Sequence, residues 1–238
     1  QAKFNNINNR NYMTLEQLIQ QYKTEEYKFW KYHDKDGKNI STHFFFETHS
    51  DYLDKYLGFY KDLPNLTEVI VHAADGIFKI TNHGIDYFIR HNHQEVFIDK
   101  EGNLRGVPYE VSKQVRNNII MKINNVLQAR SFDEIYNIVE SCKVKGFGEL
   151  SIYDTSMRIA SNLNIEPDKV YLHAGARKGM EILEAKGYVP EGTSKKKYVD
   201  KKDLPLIMQA LKAAEIEHLC CSMKKELEEL VDRLKADE

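Results

Sequence analysis

Apolar residues recur every three or four positions along most of this chain, which is the spacing of one face of an α-helix. Two such runs follow one another between Ser131 and Ala160, and a glycine-containing turn separates them. Ser131 and Glu134 have the spacing of a capping box, which marks the start of the first helix. Its apolar positions are Ile135, Ile138, Val139 and Cys142, and the second helix begins at Glu149. The pattern predicts a helix, a tight hairpin and a second helix.

Helical spacing also predicts most of the remaining elements. Thr14 and Gln17 form another capping box, ahead of a helix that extends to Trp30. Ser50 caps a short helix, and a further helix follows Pro64. A long helix is predicted over about residues 109–129, and the end of the chain from Asp203 is helical again. Helices therefore account for most of the predicted secondary structure.

The segment from Gly76 to Pro108 does not follow this spacing. It holds scattered aromatic residues and several histidines. Val96–Asp99 and Leu104–Val107 are predicted to pair as a β-hairpin around the turn Lys100–Asn103. We interpret this segment as a connector between two lobes.

These elements predict an all-α fold of two helical lobes with a helix-hairpin-helix element and a minor β-hairpin in the connector. Residues 1–13 are rich in asparagine and are interpreted as a mobile tail. Residues 14–108 form the predicted N-terminal lobe and connector, and residues 109–238 form the lobe that contains the hairpin. A chain of 238 residues is long enough to bury a substantial core in either arrangement.

Bulk composition excludes several classes of protein. The net charge is −2 and the pI is about 6.6, which argues against a protein that coats nucleic acid by overall charge. A local basic face is still compatible with these values. The three cysteines form no Cys-x-x-Cys pair, so we predict free thiols in a reducing, cytoplasmic compartment. No apolar run or leader pattern predicts a membrane span or a signal peptide.

The turn between the two helices is the segment that most suggests a biochemical role. Gly146 and Gly148 allow a positive φ and let a phosphate approach the backbone closely. The free N–H groups of the helix that follows form an anion site, and nearby lysines add positive charge. The residues predicted to contact nucleic acid are Lys143, Lys145, Gly146, Phe147, Gly148, Glu149, Leu150, Arg177 and Lys178. Phe147 is expected to pack inward. The alternative is a tight helix–helix corner without a ligand.

The segment from Val144 to Gly148, followed by a helix, resembles the helix-hairpin-helix DNA glycosylases of the endonuclease III type. The resemblance covers about residues 131–183 and implies a two-lobed helical fold that contacts duplex DNA. The family's catalytic Asp lies in a Val-Asp-Thr-His segment, whose counterpart here is Val170 to His173, with Tyr171 in place of the Asp. Bifunctional members carry a Lys where Leu150 stands. The resemblance therefore implies DNA contact more directly than glycosylase or lyase chemistry.

Two longer patterns resemble a group of uncharacterised bacterial proteins. The first is Gly-Phe-Gly-Glu-Leu-Ser-Ile-Tyr-Asp-Thr, from Gly146 to Thr155. The second is Tyr-Leu-His-Ala-Gly-x-Arg-Lys-Gly, from Tyr171 to Gly179. This resemblance bears on the fold and implies no particular activity.

A set of polar residues interrupts the apolar helices beyond the hairpin. Its members are Tyr153, Asp154, His173, Arg177 and Lys178. We take Asp154 and His173 as the candidate catalytic pair, because an acid and an imidazole beside the hairpin are suited to proton transfer or phosphate binding. The alternative is a buried polar network in which Arg177 or backbone donors satisfy Asp154.

The histidines of the connector offer a second candidate site. His91 and His93 have a His-x-His spacing that can hold zinc when further ligands fold nearby. His83 lies in the same segment, and candidate further ligands are His72, Asp75 and Asp86. Loop histidines are more often solvated, so we predict neither a metal nor a cofactor. Aromatic residues between Tyr22 and Tyr60 could stack on bases, although helical spacing is more typical of a core.

Three functional hypotheses follow from these features. The first is a protein that contacts the duplex DNA backbone through the hairpin, as a catalytically degenerate glycosylase-like protein. The second is an active base-excision glycosylase or lyase in which Asp154 stabilises the sugar cation and His173 assists. The third is a helical module that binds a protein partner and has no role with nucleic acid.

Overall fold

The computed structural model describes residues 13–233, and the fold is mixed α/β. Helices account for 52% and strands for 18% of the residues, and the strands form four two-stranded antiparallel sheets. The prediction of an all-α fold is therefore wrong. The predicted mobile tail lies outside the described residues except for Met13.

The helices occur throughout the described chain. In chain order they are α1 (Leu15–Thr24), α2 (His49–Lys61), α3 (Leu66–Asp75), α4 (Tyr109–Met121), α5 (Ile123–Gln128), α6 (Phe132–Ser141), α7 (Glu149–Asn162), α8 (Ala174–Ala185), α9 (Leu206–Gln209), α10 (Ala213–Ser222) and α11 (Lys224–Glu228). Short 3-10 turns cover Thr193–Lys195 and Lys201–Asp203.

Each sheet is a pair of antiparallel strands. The strands are β1 (Tyr27–His33), β2 (Asn39–Phe46), β3 (Ile77–Asn82), β4 (Ile85–Arg90), β5 (Phe97–Ile98), β6 (Leu104–Arg105), β7 (Lys169–Tyr171) and β8 (Tyr198–Asp200). They pair as β1 with β2, β3 with β4, β5 with β6, and β7 with β8.

The β1–β2 hairpin replaces the second half of the first predicted helix. Side chains alternate between the two faces of a strand, so Tyr27 and Phe29 point to one side and Trp30 and Tyr32 to the other. Trp30 and Tyr32 are 37% and 64% exposed. Aromatic residues occupy both faces of β1, so apolar and polar positions do not alternate along the strand. The apolar spacing from Tyr22 onward therefore resembles that of a helix. This hairpin is the main cause of the wrong fold class.

The predicted connector is an ordered part of the core. The turn between β3 and β4 has His83 at φ +49° and Gly84 at φ +77°, a pair of left-handed residues that suits a two-residue hairpin. Phe78, Ile80 and Ile89 of this hairpin are buried. The smaller hairpin of β5 and β6 lies within the two segments predicted to pair, so that prediction is confirmed.

Two long helices of the prediction are interrupted in the structure. The helix predicted over residues 109–129 is divided at Lys122, where φ is −106° and ψ is 19°. The C-terminal helical region is divided into α9, α10 and α11. The helix, turn and helix predicted after Ser131 are present as α6 and α7.

The buried apolar side chains form two clusters. The first lies among α2, α3, α4, α6, α7 and the β3–β4 hairpin and includes Tyr60 and Ile135. The second joins α1 to α8, α10 and the C-terminal end, and includes Leu18 and Ile216. Met13 completes this second cluster through backbone hydrogen bonds with Glu229 and Val231. The first helix of the chain therefore packs with the last ones.

Helices α8 and α10 approach each other closely because α8 presents two glycines one turn apart. A Cβ atom at Gly179 would lie 2.2 Å from the carbonyl oxygen of Cys220. A Cβ atom at Gly175 would lie 2.4 Å from the sulfur of Cys221. Only glycine permits this separation, and the contact places Cys221 against the first turn of α8.

Within residues 13–233, no helix combines the length and the apolar character needed to cross a bilayer.

Candidate active site

A cavity of about 260 Å³ is enclosed by residues of β1, α2, β3, α7 and α10. Its walls carry rings from β1, α2, β3 and α7, namely Tyr27, Phe29, Tyr52, Tyr56, Phe78 and Tyr153. The charged and imidazole side chains of the cavity come from β1, the segment after β4, α7, α10 and the start of α11. An aromatic cavity with a few convergent polar groups is the usual form of a small-molecule site.

His93 and Asp154 form the central pair of this cavity. Nδ1 of His93 is 2.9 Å from Oδ2 of Asp154, and the Asp154 side chain is 11% exposed. Asp154 lies on α7, whereas His93 lies in the turn that follows β4. That turn is held by backbone hydrogen bonds from Gln94 and Glu95 to the carbonyl of His91. The carboxylate therefore fixes the orientation of an imidazole ring that lines the cavity.

Arg158 contacts Asp154 of this pair and makes further hydrogen bonds to the surrounding elements. It lies one helical turn after Asp154 on α7 and is fully buried. Its guanidinium donates to the carbonyl of Ala73 at 2.7 Å, to Oε1 of Gln94 at 2.9 Å and to the hydroxyl of Tyr56. A fourth contact, at 3.5 Å, reaches Oδ2 of Asp154. Arg158 thus links α2, α3, α7 and the turn that carries His93.

His91 completes the polar network with both of its ring nitrogens in use. Nδ1 accepts a hydrogen bond from the backbone N–H of His93, at 3.3 Å. Nε2 is 3.2 Å from the hydroxyl of Tyr52. Burial lowers the pKa of His91 well below its ordinary value, and the charge on His93 adds to the effect. His91 is therefore neutral at physiological pH.

The charges on the central pair follow from their surroundings. Burial alone would raise the pKa of Asp154, but the charge and hydrogen bond of His93 and the charge of Arg158 hold it well below its usual range. Burial alone would lower the pKa of His93, but the charge and hydrogen bond of Asp154 together with the Cys221 thiol raise it to about 10. The pair is a carboxylate and an imidazolium at neutral pH.

The same three residues have the composition of a metal site. Ligand atoms of His91, His93 and Asp154 lie within 4.8 Å of one another. However, the nitrogens of His91 are hydrogen-bonded and Nδ1 of His93 is bound to Asp154. A metal would have to displace these bonds and the proton of His93. The geometry therefore favours a proton-transfer site over a metal site.

Cys221 lies in the cavity wall beside His93 and the first turn of α8. Cys221 and His93 both line the cavity. Its sulfur also packs against Gly175, the second residue of α8, and the N-cap residue His173 provides no side-chain cap for that helix. Lys224 adds a positive charge nearby and donates to the carbonyl of Cys221 at 2.6 Å.

The contact between Gly175 and Cys221 leads to a prediction. We expect Gly175→Ala to lower the free energy of unfolding by about 1–3 kcal/mol, because the new Cβ would overlap the sulfur. In a Cys221→Ala background the loss should be smaller, since the nearest remaining side-chain atom is the Cβ at 3.5 Å. Urea unfolding of the four proteins of this double-mutant cycle measures the difference. Equal losses in both backgrounds would contradict the contact.

The two predicted catalytic residues lie in different environments. Asp154 lines the cavity. His173 is 2% exposed and lies behind the cavity wall, with Nε2 at 2.8 Å from Oε1 of Glu217 and its ring beside Tyr153. Glu217 does line the cavity. The structure therefore does not bring His173 to Asp154, and His93 takes the position beside the carboxylate.

The residues predicted for the hairpin lie at the surface, with one exception. Gly146 has φ +94°, and Gly148 is the N-cap of α7 with extended backbone and open space around it. Phe147 is buried, as its place between two glycines predicts. Lys143, Lys145 and Glu149 are exposed, and Leu150 is half-buried.

Arg177 and Lys178 make contacts within the protein. The guanidinium of Arg177 donates to the carbonyls of Leu172, Ser194 and Lys196 at 2.6–3.1 Å. It also lies 3.7 Å from Glu149. Lys178 pairs with Glu181 at the surface, at 3.1 Å. The bonds of Arg177 hold the loop before β8 in place.

Sequence reasoning missed His93 as a catalytic candidate and Cys221 as a residue of the cavity wall. The His-x-His spacing drew attention to His93, but only as a metal ligand. A usable signal for Cys221 was its position next to Cys220, because adjacent residues on a helix do not face the same way. Cys220 is fully buried and Cys221 is not. The adjacency alone could not indicate that Cys221 lines the same cavity as His93, a residue far away in sequence.

No protein-family model, curated protein or solved structure matches this chain.

Proposed function

We propose that this protein is an enzyme whose reaction takes place in the aromatic cavity, with His93 as the proton donor to a leaving group. The buried hydrogen bond between His93 and Asp154 is the observation that carries this proposal. An ionised carboxylate, held by Arg158, keeps the imidazole protonated and oriented toward the space that a substrate would occupy. Asp154 is a positioning residue in this scheme, because it acts through His93.

The walls of the cavity indicate the substrate class. Six aromatic rings surround the polar pair, and the buried ammonium of Lys31 lies at the same cavity, 2.5 Å from Glu95. Flat apolar groups pack well against such rings. We infer that the substrate carries an aromatic or other flat group next to the bond that is cleaved.

The two cations that face Asp154 favour a role in proton transfer over a role in stabilising a sugar cation. Its Oδ2 atom already faces His93 at 2.9 Å and Arg158 at 3.5 Å. A carboxylate neutralised by two cations offers less attraction to a third positive charge. The pairing therefore supports His93 as the reacting group rather than Asp154.

A hydrolysis panel tests this function. Chromogenic aromatic esters, amides and glycosides, and duplexes with damaged bases, should be offered to the wild type, His93→Gln and Asp154→Asn. We expect at least one class to be cleaved and both variants to lose about 10²-fold or more in rate. His33→Gln and Asp86→Asn alter exposed residues and serve as matched controls. Cleavage of no class, or full activity in His93→Gln, would contradict the proposal.

A second candidate function is contact with the duplex DNA backbone, as the resemblance implies. The observation that supports it is the exposed turn from Gly146 to Gly148, which leaves the N-terminus of α7 open beside Lys143 and Lys145. Backbone N–H groups at a helix start bind phosphate oxygens. We propose this contact as a property separate from the cavity.

Fluorescence anisotropy of a labelled duplex at two salt concentrations tests DNA contact. We expect binding that weakens as salt rises, and loss of binding in Gly148→Val and in Lys143→Glu with Lys145→Glu. Gly148 has no heavy atom within 4 Å of a built Cβ and has negative φ, so its valine variant should fold. The control that combines Lys38→Glu with Lys61→Glu changes the net charge equally, at exposed sites away from the hairpin. It should bind the duplex more tightly than the variant that combines Lys143→Glu with Lys145→Glu. Absent or salt-independent binding would overturn this candidate.

A further inference from the structure

We propose that His218 donates a hydrogen bond from Nε2 to a carbonyl oxygen of the substrate, which makes the substrate an aromatic ester or amide. The inference deepens the proposed function and rests on it for the reaction, but the proton position on His218 and the binding of a carbonyl can be measured without turnover. The geometry that carries it is an imidazole at the cavity whose other nitrogen, Nδ1, is bound to the buried hydroxyl of Tyr22.

His218 lies on α10 and lines the cavity within a group of aromatic rings. Its ring centroid is 5.4 Å from that of Tyr27 and 5.6 Å from that of Tyr52, and both of these residues line the cavity. The ring also contacts Tyr22, at 5.9 Å, which belongs to the second apolar cluster. The imidazole is therefore in contact with both the cavity and the core around α1, and this packing fixes its orientation.

The hydrogen bond to Tyr22 determines which nitrogen of His218 carries the proton. The Tyr22 hydroxyl lies 3.2 Å from Nδ1, and the Tyr22 side chain is 0% exposed. Nδ1 is the partner that the described residues offer this hydroxyl. The hydroxyl therefore donates to Nδ1, because the reverse arrangement would leave a buried O–H donor unpaired. In a neutral imidazole whose Nδ1 accepts, the proton is on Nε2.

His218 is a neutral donor at physiological pH. Burial, together with the neighbouring rings of His49 and His93, lowers the pKa of His218 to about 3. The pKa of Tyr22 is raised, chiefly by burial, so its hydroxyl keeps the proton that it donates. Both directions favour the same hydrogen bond, from the Tyr22 hydroxyl to Nδ1.

Nε2 of His218 is accessible to a ligand. It has no hydrogen-bond partner among the described residues, and it is not fully buried. Because His218 lines the cavity, a molecule bound there meets this nitrogen. The hydroxyl of the neighbouring Tyr27 is likewise without a partner in residues 13–233 and is not fully buried. Two donors on adjacent rings are suited to one carbonyl oxygen, as in an oxyanion site.

The charges of the cavity favour an uncharged acceptor over a carboxylate or a phosphate. Its cations already have acceptors within the protein: Lys31 has Glu95 at 2.5 Å, His93 has Asp154 at 2.9 Å, and Lys224 has the carbonyl of Cys221 at 2.6 Å. An anionic group would therefore bring an unmatched charge into a largely aromatic space. A carbonyl accepts the hydrogen bond of His218 without adding a charge.

The donors are needed most when charge develops on the carbonyl oxygen. Water adds to the acyl carbon, a C–O bond forms, and the carbonyl π electrons move to the oxygen at His218. As these electrons return, the bond to the leaving alcohol or amine breaks and the leaving group takes the proton of His93. His93 regains a proton from the added water, and the other product is a carboxylic acid. His218 keeps its own proton throughout.

Heteronuclear NMR of the ring nitrogens tests the proton position without a ligand. We expect His218 of the wild type to carry its proton on Nε2 and to stay neutral from about pH 5 to about pH 8. Its signals are those absent from His218→Gln. Tyr22→Phe should move the Nδ1 signal, because this nitrogen loses its hydrogen bond, whereas Tyr32→Phe alters a ring that is 64% exposed and should not. A proton on Nδ1, or a charged ring at about pH 7, would overturn the inference.

Two probes of nearly equal shape test the carbonyl contact. Acetophenone has a C=O group where α-methylstyrene has C=CH₂, and NMR titration gives the ratio of their affinities. We expect the preference for acetophenone to fall about 3- to 10-fold in His218→Leu, which lacks a donor, and to fall less in His218→Gln, which keeps an N–H. The carbonyl stretch of bound acetophenone should lie at lower frequency in the wild type than in His218→Leu. An unchanged ratio, or a wild type that binds neither probe, would overturn the inference.

The hydrolysis panel distinguishes this inference from the proposed function. We expect esters or amides to be the cleaved class, with kcat about 10²-fold lower in His218→Leu. If other classes alone are cleaved, or if His218→Leu keeps the full rate, the proposed function stands and this inference falls. If both probe measurements agree with the carbonyl contact but no class is cleaved, the contact stands and the proposed function falls.

Discussion

Replacing Arg158 with methionine is expected to lower the free energy of unfolding by about 3–5 kcal/mol, the largest loss we expect from a single substitution. The guanidinium is fully buried and donates to Tyr56, Ala73 and Gln94 while it faces Asp154. Methionine fills much of the volume but leaves the carbonyl and carboxylate oxygens without these donors. Chemical unfolding in urea, followed by circular dichroism, measures the loss.

Arg105→Met is the matched control for this prediction. Arg105 also pairs with an aspartate, Asp99 at 2.6 Å, but its side chain is 58% exposed. Exposed ion pairs contribute about 0–1 kcal/mol, so we expect a small effect. Similar losses in the two variants would show that Arg158 does not support the site in the way its contacts indicate.

The second large effect is a dependence of stability on pH through His93. Its pKa is raised to about 10 by Asp154 and Cys221, against burial, from the ordinary value of 6.5. A raised folded-state pKa stabilises the fold fully below pH 6.5 and loses this contribution as pH rises through about 10. After allowance for the exposed third of the ring, we expect a loss on the order of 2–4 kcal/mol.

The comparison of wild type with His93→Gln isolates this contribution. The difference in unfolding free energy should be largest near pH 6 and should shrink toward pH 10. Four other histidines have lowered pKa values in the folded protein, namely His49, His72, His91 and His218. Their contribution to stability is present above pH 6.5 and is lost as pH falls below it, so it does not overlap with the loss expected from His93. His33→Gln should show the same profile as the wild type. A constant difference across this range would contradict a charged His93.

The elements that could be predicted from the sequence are those with strong local signals. The capping residues Thr14 and Ser131 start α1 and α6, and in both cases the side chain accepts the expected backbone hydrogen bond. The tight turn at Gly146 is likewise present with a positive φ. Each of these signals acts within a few residues, so sequence spacing is sufficient to recognise it.

The strands were missed because their signal depends on tertiary packing. In β2, Phe44 and Phe46 are buried whereas Phe45 is 47% exposed, so three consecutive aromatic residues face two environments. Composition gives no indication of which face will be covered. Strand preferences of this kind depend on neighbours across the sheet. The prediction of an all-α fold failed for this reason.

The candidate site was only partly predictable for a similar reason. Asp154 interrupts an apolar helix beside the hairpin, and that local irregularity identified it from the sequence. Its partner could not be identified, because His93 lies 61 positions away and reaches Asp154 through the turn after β4. Cys221 is more distant still. The nearer histidine, His173, was chosen instead, and the structure places it behind Glu217.

Heteronuclear NMR of the ring nitrogens of His93 is the most direct test of the central claim, that a charged imidazole bound to Asp154 occupies the cavity. In the wild type at about pH 8 we expect both ring nitrogens of His93 to be protonated. Asp154→Asn should remove the second proton at the same pH. A His93 that loses its proton near pH 6.5 in the wild type, unchanged in Asp154→Asn, would contradict the account.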